Sequence, residues 1–276
     1  MAKTVTRERR TRSRSRVHVA TDLLYTLLRA IGRYAHSFYT ALGIYIVLGL
    51  GITVAAIWGF AELAEFVQEG GTETFDLAAM QWMEANRIAF LDRFLLDVTA
   101  LGTGLVVLIL VGVAALFLAL TEHRYSALLL IVATAGGQLL NTVLKLFYDR
   151  PRPSNVEHLT HTMSTSFPSG HAMSAVIVYG TVAYLAARLQ KKAWERWLTM
   201  TLAIVIIIAI AASRVYLGVH YPSDVLAGTI IGAAWAAFCM AGLEAVRVFA
   251  KRFRPQELEH ERDLDPRERA AAGLKT

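Results

Sequence analysis

Three short clusters in this chain hold cations, histidines and a carboxylate at spacings that suit phosphoryl chemistry. Lys145 is followed by Arg150-Pro151-Arg152-Pro153, then by Pro168-Ser169-Gly170-His171, and last by Ser213-Arg214 ahead of His220 and Asp224. Arginine's planar fork matches phosphate oxygens in pairs, and lysine adds a point charge. Lys145, Arg152 and Arg214 therefore form a candidate anion clamp. Pro168 suits the opening of a helix, where the amides of Ser169, Gly170 and His171 would be free to face an anion, helped by the helix dipole. The two histidines, His171 and His220, can divide the work of nucleophile and general acid. Asp224 lies four residues after His220, within reach of its second ring nitrogen. A carboxylate in the first turn of a helix is also favoured in its ionised form.

These groups need a scaffold that gathers positions 145 to 224 in one place, and the sequence around them is apolar. Of the 276 residues, 55% are hydrophobic and only 18% charged, whereas a soluble domain is nearer a quarter charged. Six runs approach the length of about 20 helical residues needed to cross a hydrocarbon core: 39–61, 94–120, 125–147, 171–188, 197–214 and 224–246. The expectation is an all-α bundle of six membrane helices. Ionisable residues at the ends of such spans are costly and mark function.

Loop charge sets the expected orientation. Residues 1–36 carry nine Lys/Arg against two acids, and the segments 188–196 and 247–254 are also basic. The segment 62–93 instead carries Glu62, Glu65, Glu69, Glu73, Asp76, Glu84 and Asp92 against Arg87 and Arg93. With the basic segments cytoplasmic, the acidic loop and all three clusters face the extracytoplasmic side. The basic tail is read as touching anionic lipid headgroups. That reading makes membrane lipids the expected partner of the +6 formal charge and leaves no nucleic-acid role. Cys239 is the only cysteine, which excludes an intrachain disulfide and a cysteine-based metal site.

Lesser features have plainer readings. Residues 75–83 suit an amphipathic helix lying in the outer interface. Gly228 with Gly232, and Ala133 with Gly137, suit close helix packing. Arg150 reads as an interfacial snorkelling residue or a further phosphate ligand. His158 and His161 read as surface groups, Ser213 as a minor polar partner, and Tyr148, Tyr216 and Tyr221 as an aromatic belt. His18, His36 and His123 fall on the opposite side and receive no role.

The three clusters together resemble the type 2 phosphatidic acid phosphatase (PAP2) family, also called the lipid phosphate phosphatases. That pattern reads here as Lys145-x6-Arg152-Pro153, Pro168-Ser169-Gly170-His171 and Ser213-Arg214-x5-His220-x3-Asp224. The resemblance covers roughly residues 60–246 and is closest to the six-span bacterial form. It implies a PAP2/haloperoxidase-like helical bundle, and with the charge pattern above the expected organisation is a six-helix phosphatase domain over 39–246 between cytoplasmic tails at 1–38 and 247–276. It also implies hydrolysis of a phosphomonoester or diphosphate of a lipid through a phosphohistidine. The implied catalytic groups are His220 as nucleophile, His171 as general acid and Asp224 as the partner of His220. Lys145, Arg152, Ser169, Gly170 and Arg214 are implied as the phosphate clamp, with no cofactor and no metal. Implied substrates are phosphatidate, phosphatidylglycerol phosphate or a polyprenyl diphosphate. The rival readings are a phosphatase of soluble esters, a vanadate-dependent haloperoxidase and an inactive scaffold; oligomeric state is left open.

Overall fold

The computed structural model describes residues 38–160 and 164–252, with side chains at 47–160 and 164–246. The basic tail, His18, His36, His161 and the distal C-terminal tail lie outside the described residues. The contacts divide the chain into 1–48 and 49–276. Of the first unit only the opening turns of one helix are described, and everything below concerns the second.

Among the described residues the secondary structure is entirely helical: α1 Phe38–Gln68, α2 Glu73–Ala85, α3 Ala89–Ala100, α4 Gly104–Leu120, α5 Arg124–Tyr148, α6 Gly170–Leu189, α7 Ala193–Tyr216 and α8 Pro222–Arg252. Five of these are long and apolar enough to cross a membrane: α1, α5, α6, α7 and α8. The predicted second span, 94–120, is not one straight helix. It is α3 and α4, bent by 48° at Leu101–Thr103. The sequence pattern concealed the break, because hydropathy measures transfer and carries no record of local direction. Helices α6 and α7 run to 20 and 24 residues, longer than the predicted 171–188 and 197–214. Helix α8 continues to Arg252, past the predicted limit at 246.

The packing is that of a bundle in lipid. Small residues fill the interior (Ala64, Ala133, Ala172, Ala175, Ala227, Ala234), while Leu105, Leu108, Leu116, Leu139, Leu146, Ile204 and Ile208 face outward. In hydrocarbon no hydrophobic force drives helices together, so small residues that allow close approach carry the interfaces. Gly228 shows this most directly, since a Cβ there would stand 2.5 Å from the Ser169 carbonyl oxygen. At Gly232 a Cβ would stand 2.9 Å from the Met173 carbonyl oxygen. The glycine pair thus lets α8 press on the first two turns of α6. The Trp235 ring N–H donates to the Ala133 carbonyl at 2.8 Å and ties α8 to α5.

Alternation of helix direction brings the C-termini of α5 and α7 to the same end of the bundle as the N-termini of α6 and α8. All three chemical clusters occur at that end. Helices α2 and α3 pack there too, against α7 and α8. The contact between α6 and α8 is the element that sets the site. Gly228→Ala should therefore destabilise the protein by about 1–3 kcal/mol through overpacking and reduce its activity. Gly112→Ala, with nothing within 4 Å of the new methyl, should do neither. Thermal unfolding in detergent measures both, and equal behaviour of the two variants would contradict this packing account.

Candidate active site

Helix α8 opens at Pro222, whose fixed φ suits a first helical position. The preceding turn runs through Gly218, at φ +80°, where a Cβ would also meet the Glu157 carbonyl oxygen at 2.5 Å. Only glycine satisfies both conditions. This turn places His220 and Asp224 on facing sides of the helix start, 2% and 0% exposed. His220 Nδ1 lies 3.5 Å from Asp224 Oδ2. On the other side of the ring, Arg152 Nη1 lies 3.3 Å from Nε2. A guanidinium can only donate, so Nε2 presents its lone pair and the ring proton sits on Nδ1, facing Asp224. Burial holds His220 at a pKa of about 4, against the opposing pull of Asp224. Because the shift is downward, the ring stays neutral as pH falls until it nears that value. A neutral ring with its Nε2 lone pair facing away from Asp224 is the form that can act as a nucleophile.

Asp224 anchors much more than the imidazole. Its Oδ2 accepts from the Ser166 hydroxyl in a short hydrogen bond and from the Tyr221 amide at 2.9 Å. Its Oδ1 accepts from Arg150 Nη1 at 2.6 Å. The other arm of Arg150 reaches Asp76 Oδ2 on α2 at 3.0 Å. Asp76 is fully buried and also accepts from the Ser223 amide at 3.0 Å and the Ser223 hydroxyl at 2.5 Å. The guanidinium lies over the Tyr221 ring at 4.2 Å. Burial opposes the charge on Arg150, but Asp224 and Asp76 outweigh it and raise its pKa. Arg150 is thus neither a snorkelling residue nor a cavity-lining ligand. It is the cation between two buried carboxylates.

Sequence reasoning placed Asp76 only among the acids of an interfacial helix, and Ser166 nowhere. The first is 148 positions from its network partner Asp224, a separation that no local pattern reports. The one available signal was an acid on the apolar side of residues 75–83.

The cations of the clamp arrive from three elements. Lys145, in the last turn of α5, donates to the Thr165 carbonyl in a short hydrogen bond. Arg152 donates to the Ser164 carbonyl at 2.6 Å and the Val219 carbonyl at 2.5 Å. Arg214 closes α7, is 2% exposed, and donates to Thr99 Oγ1 of α3 at 2.7 Å. Its Nε is buried with no partner among the described residues. His171 sits in the first turn of α6 against the α3–α4 break, where a Cβ on Gly102 would stand 2.9 Å from His171 Cδ2. The broken span is what makes room for this ring.

Lys145, Arg152, Gly170, His171, Arg214 and His220 all line one cavity of about 520 Å³. Its remaining wall is largely apolar, with Val107 and Val111 from α4 and Ile131 from α5. Ser169 departs from expectation. Its amide is not free, because it donates to the Asp224 carbonyl at 3.0 Å. It lies behind the cavity wall, its buried hydroxyl unpartnered among the described residues. The amides of Gly170 and His171, in the first turn of α6, have no intrahelical acceptor.

The lesser residues also sort themselves. His158 is paired to the Pro153 carbonyl at 2.5 Å, and Ser213 donates to the Ile210 carbonyl at 2.6 Å. Tyr216 is not a belt residue: it is 5% exposed and donates to Asp92 at 2.7 Å. Tyr148 packs edge-on against Phe60 and Phe167.

Asp76 carries a prediction, because nothing but structure assigns it a place. Asp76→Ala leaves the Ser223 amide and one arm of Arg150 unpaired. It should cost about 3 kcal/mol and lower turnover in parallel, read by unfolding in detergent and by steady-state assay. A variant as stable and as active as the parent would remove Asp76 from the network.

Known proteins resemble this chain in sequence and in fold. Residues 126–267 match the model of the PAP2 superfamily. The chain is 33% identical over 174 residues to phosphatidylglycerophosphatase B of Bacillus subtilis, covering 63% of this chain and 85% of that one. It is 28% identical to undecaprenyl-diphosphatase of Sulfolobus acidocaldarius, covering 62% of this chain and 79% of that one. Among solved structures it resembles the transmembrane PAP2 type phosphatidylglycerolphosphate phosphatase from Bacillus subtilis, with a TM-score of 0.66 and 30% identity over 73% of this chain and 98% of the other. The Aquifex aeolicus LpxE structure matches with a TM-score of 0.51 and 25% identity over 60% and 94%. The chain belongs to the PAP2 superfamily, in its membrane-embedded form.

Proposed function

We propose that this protein hydrolyses the phosphomonoester or diphosphate of a membrane lipid, through a phosphohistidine on His220, at the extracytoplasmic face. One observation carries the reading. A neutral, buried histidine, backed by an ionised aspartate, stands with three cations at the polar end of a cavity whose far wall is apolar. That combination fits a substrate with a phosphate at one end and hydrocarbon at the other. A soluble ester would have no use for the apolar wall.

In the proposed reaction His220 Nε2 attacks phosphorus and the ester P–O bond breaks. Lys145, Arg152 and Arg214, with the first-turn amides of α6, stabilise the equatorial oxygens as charge redistributes. His171 gives its proton to the leaving alkoxide. It then takes a proton from the water that attacks the phosphohistidine, the P–N bond breaks, and phosphate leaves. No metal enters these steps. The catalytic domain is taken as 39–246, with cytoplasmic tails at 1–38 and 247–276.

His220→Ala should reduce lipid phosphate hydrolysis to background in purified protein, while EDTA should leave the parent's rate intact. His171→Ala should lose about 10²–10⁴-fold on an alkyl phosphate and far less on an aryl phosphate, whose leaving group needs no proton. Full activity of His220→Ala, or equal losses on both esters in His171→Ala, would overturn these roles.

The proposed orientation has its own test. With Cys239 replaced by Ala, a cysteine at Asn155 should react with an impermeant maleimide on intact cells, and one at Lys192 should react only after the membrane is opened. The reverse pattern would put the site in the cytoplasm.

A further inference from the structure

The site holds two of its arginines in opposite ways. Arg150 stands between Asp224 at 2.6 Å and Asp76 at 3.0 Å, so two carboxylates answer its charge. Arg214 has no carboxylate within ion-pair distance among the described residues. Its side chain meets the Thr99 hydroxyl instead, 2.7 Å from Nη1. Both groups are buried, so water is no substitute partner for either.

The other clamp cations are also held by neutral oxygens. Lys145 donates to the Thr165 carbonyl, and Arg152 to the carbonyls of Ser164 and Val219. Those acceptors are backbone atoms that any residue would supply. For Arg214 the acceptor is a side chain, and its identity matters.

Helix α3 is fastened so that this side chain has one place to be. Asp92 and Thr99 are seven residues apart, about two turns, and share a face. Asp92 accepts from the Tyr216 hydroxyl at 2.7 Å, and that hydroxyl accepts from the Ile88 amide at 3.2 Å. At the other end of α3, the Tyr179 hydroxyl of α6 donates to the Leu101 carbonyl at 2.9 Å. The Arg214 carbonyl in turn accepts from the His220 amide at 3.3 Å. Guanidinium and nucleophile thus share one backbone frame.

A guanidinium is a rigid plane of donors, so a bond at Nη1 limits how that plane can turn. A hydroxyl supplies the restraint and adds no charge. A carboxylate at the same place would restrain the plane as well, but it would cancel the charge where burial makes the pairing strong. Arg214 lines the cavity, where its charge is needed.

Resting on the phosphatase reading above, we propose that Thr99 is a positioning residue for the reaction. Its hydroxyl orients the Arg214 guanidinium in the phosphate clamp and leaves the positive charge free for the phosphate.

Three variants test this. Thr99→Val keeps the shape and removes the acceptor, Thr99→Ser keeps the acceptor, and Thr99→Asp makes it anionic. For each, kcat/KM is measured in detergent on whichever of phosphatidate, phosphatidylglycerol phosphate and farnesyl diphosphate the parent turns over fastest. The inhibition constant for vanadate and the unfolding temperature are measured alongside. Thr99→Val should lose about tenfold in kcat/KM and bind vanadate about tenfold more weakly, with Thr99→Ser within about twofold of the parent in both. Thr99→Asp should weaken vanadate binding more than Thr99→Val does. A merely structural Thr99 would lower the unfolding temperature and leave the vanadate constant of Thr99→Val unmoved. That result would overturn the proposal. So would a Thr99→Ser variant no better than Thr99→Val, or a Thr99→Asp variant that binds vanadate as tightly as the parent. If Thr99→Asp does not fold, the comparison of valine with serine decides alone. A parent that hydrolyses none of the three lipids would instead overturn the phosphatase reading, and this proposal with it.

Discussion

Asp224 is buried beyond contact with water, yet it stays charged, and most of the site is arranged around that fact. An isolated carboxylate in such a place would cost many kcal/mol and would protonate instead. Here it receives Arg150, the Ser166 hydroxyl and the Tyr221 amide, and it faces His220 Nδ1. The partners come from two separate pieces of chain, Arg150 and Ser166 from the α5–α6 loop and His220 and Tyr221 from the turn before α8. Satisfying one carboxylate therefore pins the α5–α6 loop, the turn before α8 and, through Arg150 and Asp76, helix α2. The Asp224 carbonyl completes this by holding the Ser169 amide at the start of α6. The orientation of the imidazole is a consequence of these restraints.

Charge balance links this framework to its ligand. Lys145, Arg150, Arg152 and Arg214 stand against Asp76 and Asp224 in the cavity lining and the network behind it. The two carboxylates lie with Arg150, away from the cavity, so the excess positive charge is concentrated where the other three cations line it. A phosphate dianion would neutralise that excess of two charges. Lys145, Arg152 and Arg214 bring like charges together at one end of the cavity. The protein invests this repulsion in preorganisation, because donors already in position need not reorganise during phosphoryl transfer.

Much of this was legible in the sequence, and the boundary has physical causes. Lys145, Arg152, His171, Arg214, His220 and Asp224 sit beside helix ends that local apolar patterning predicts, so their convergence followed from counting spans. Other features depend on contacts between distant segments. Asp76 and Asp224 meet only because α2 folds back over α8, and Arg150 chooses carboxylates over phosphate only because both are there. The bend at Leu101–Thr103 is invisible to hydropathy, which records transfer and not direction, yet it makes the space that His171 occupies. The Ser169 amide looked free because helix-start amides lack partners within their own helix. Its acceptor belongs to another one.

The central claim is that this framework exists to make His220 Nε2 a nucleophile toward phosphorus. Rapid quench of the purified enzyme with a labelled lipid phosphomonoester, followed by peptide mass spectrometry, tests it most directly. The account predicts an acid-labile, base-stable phosphoryl group on His220 that forms within the first turnover and decays as phosphate is released. Turnover with no trapped phosphoenzyme at any quench time, or a label on another residue, would contradict it.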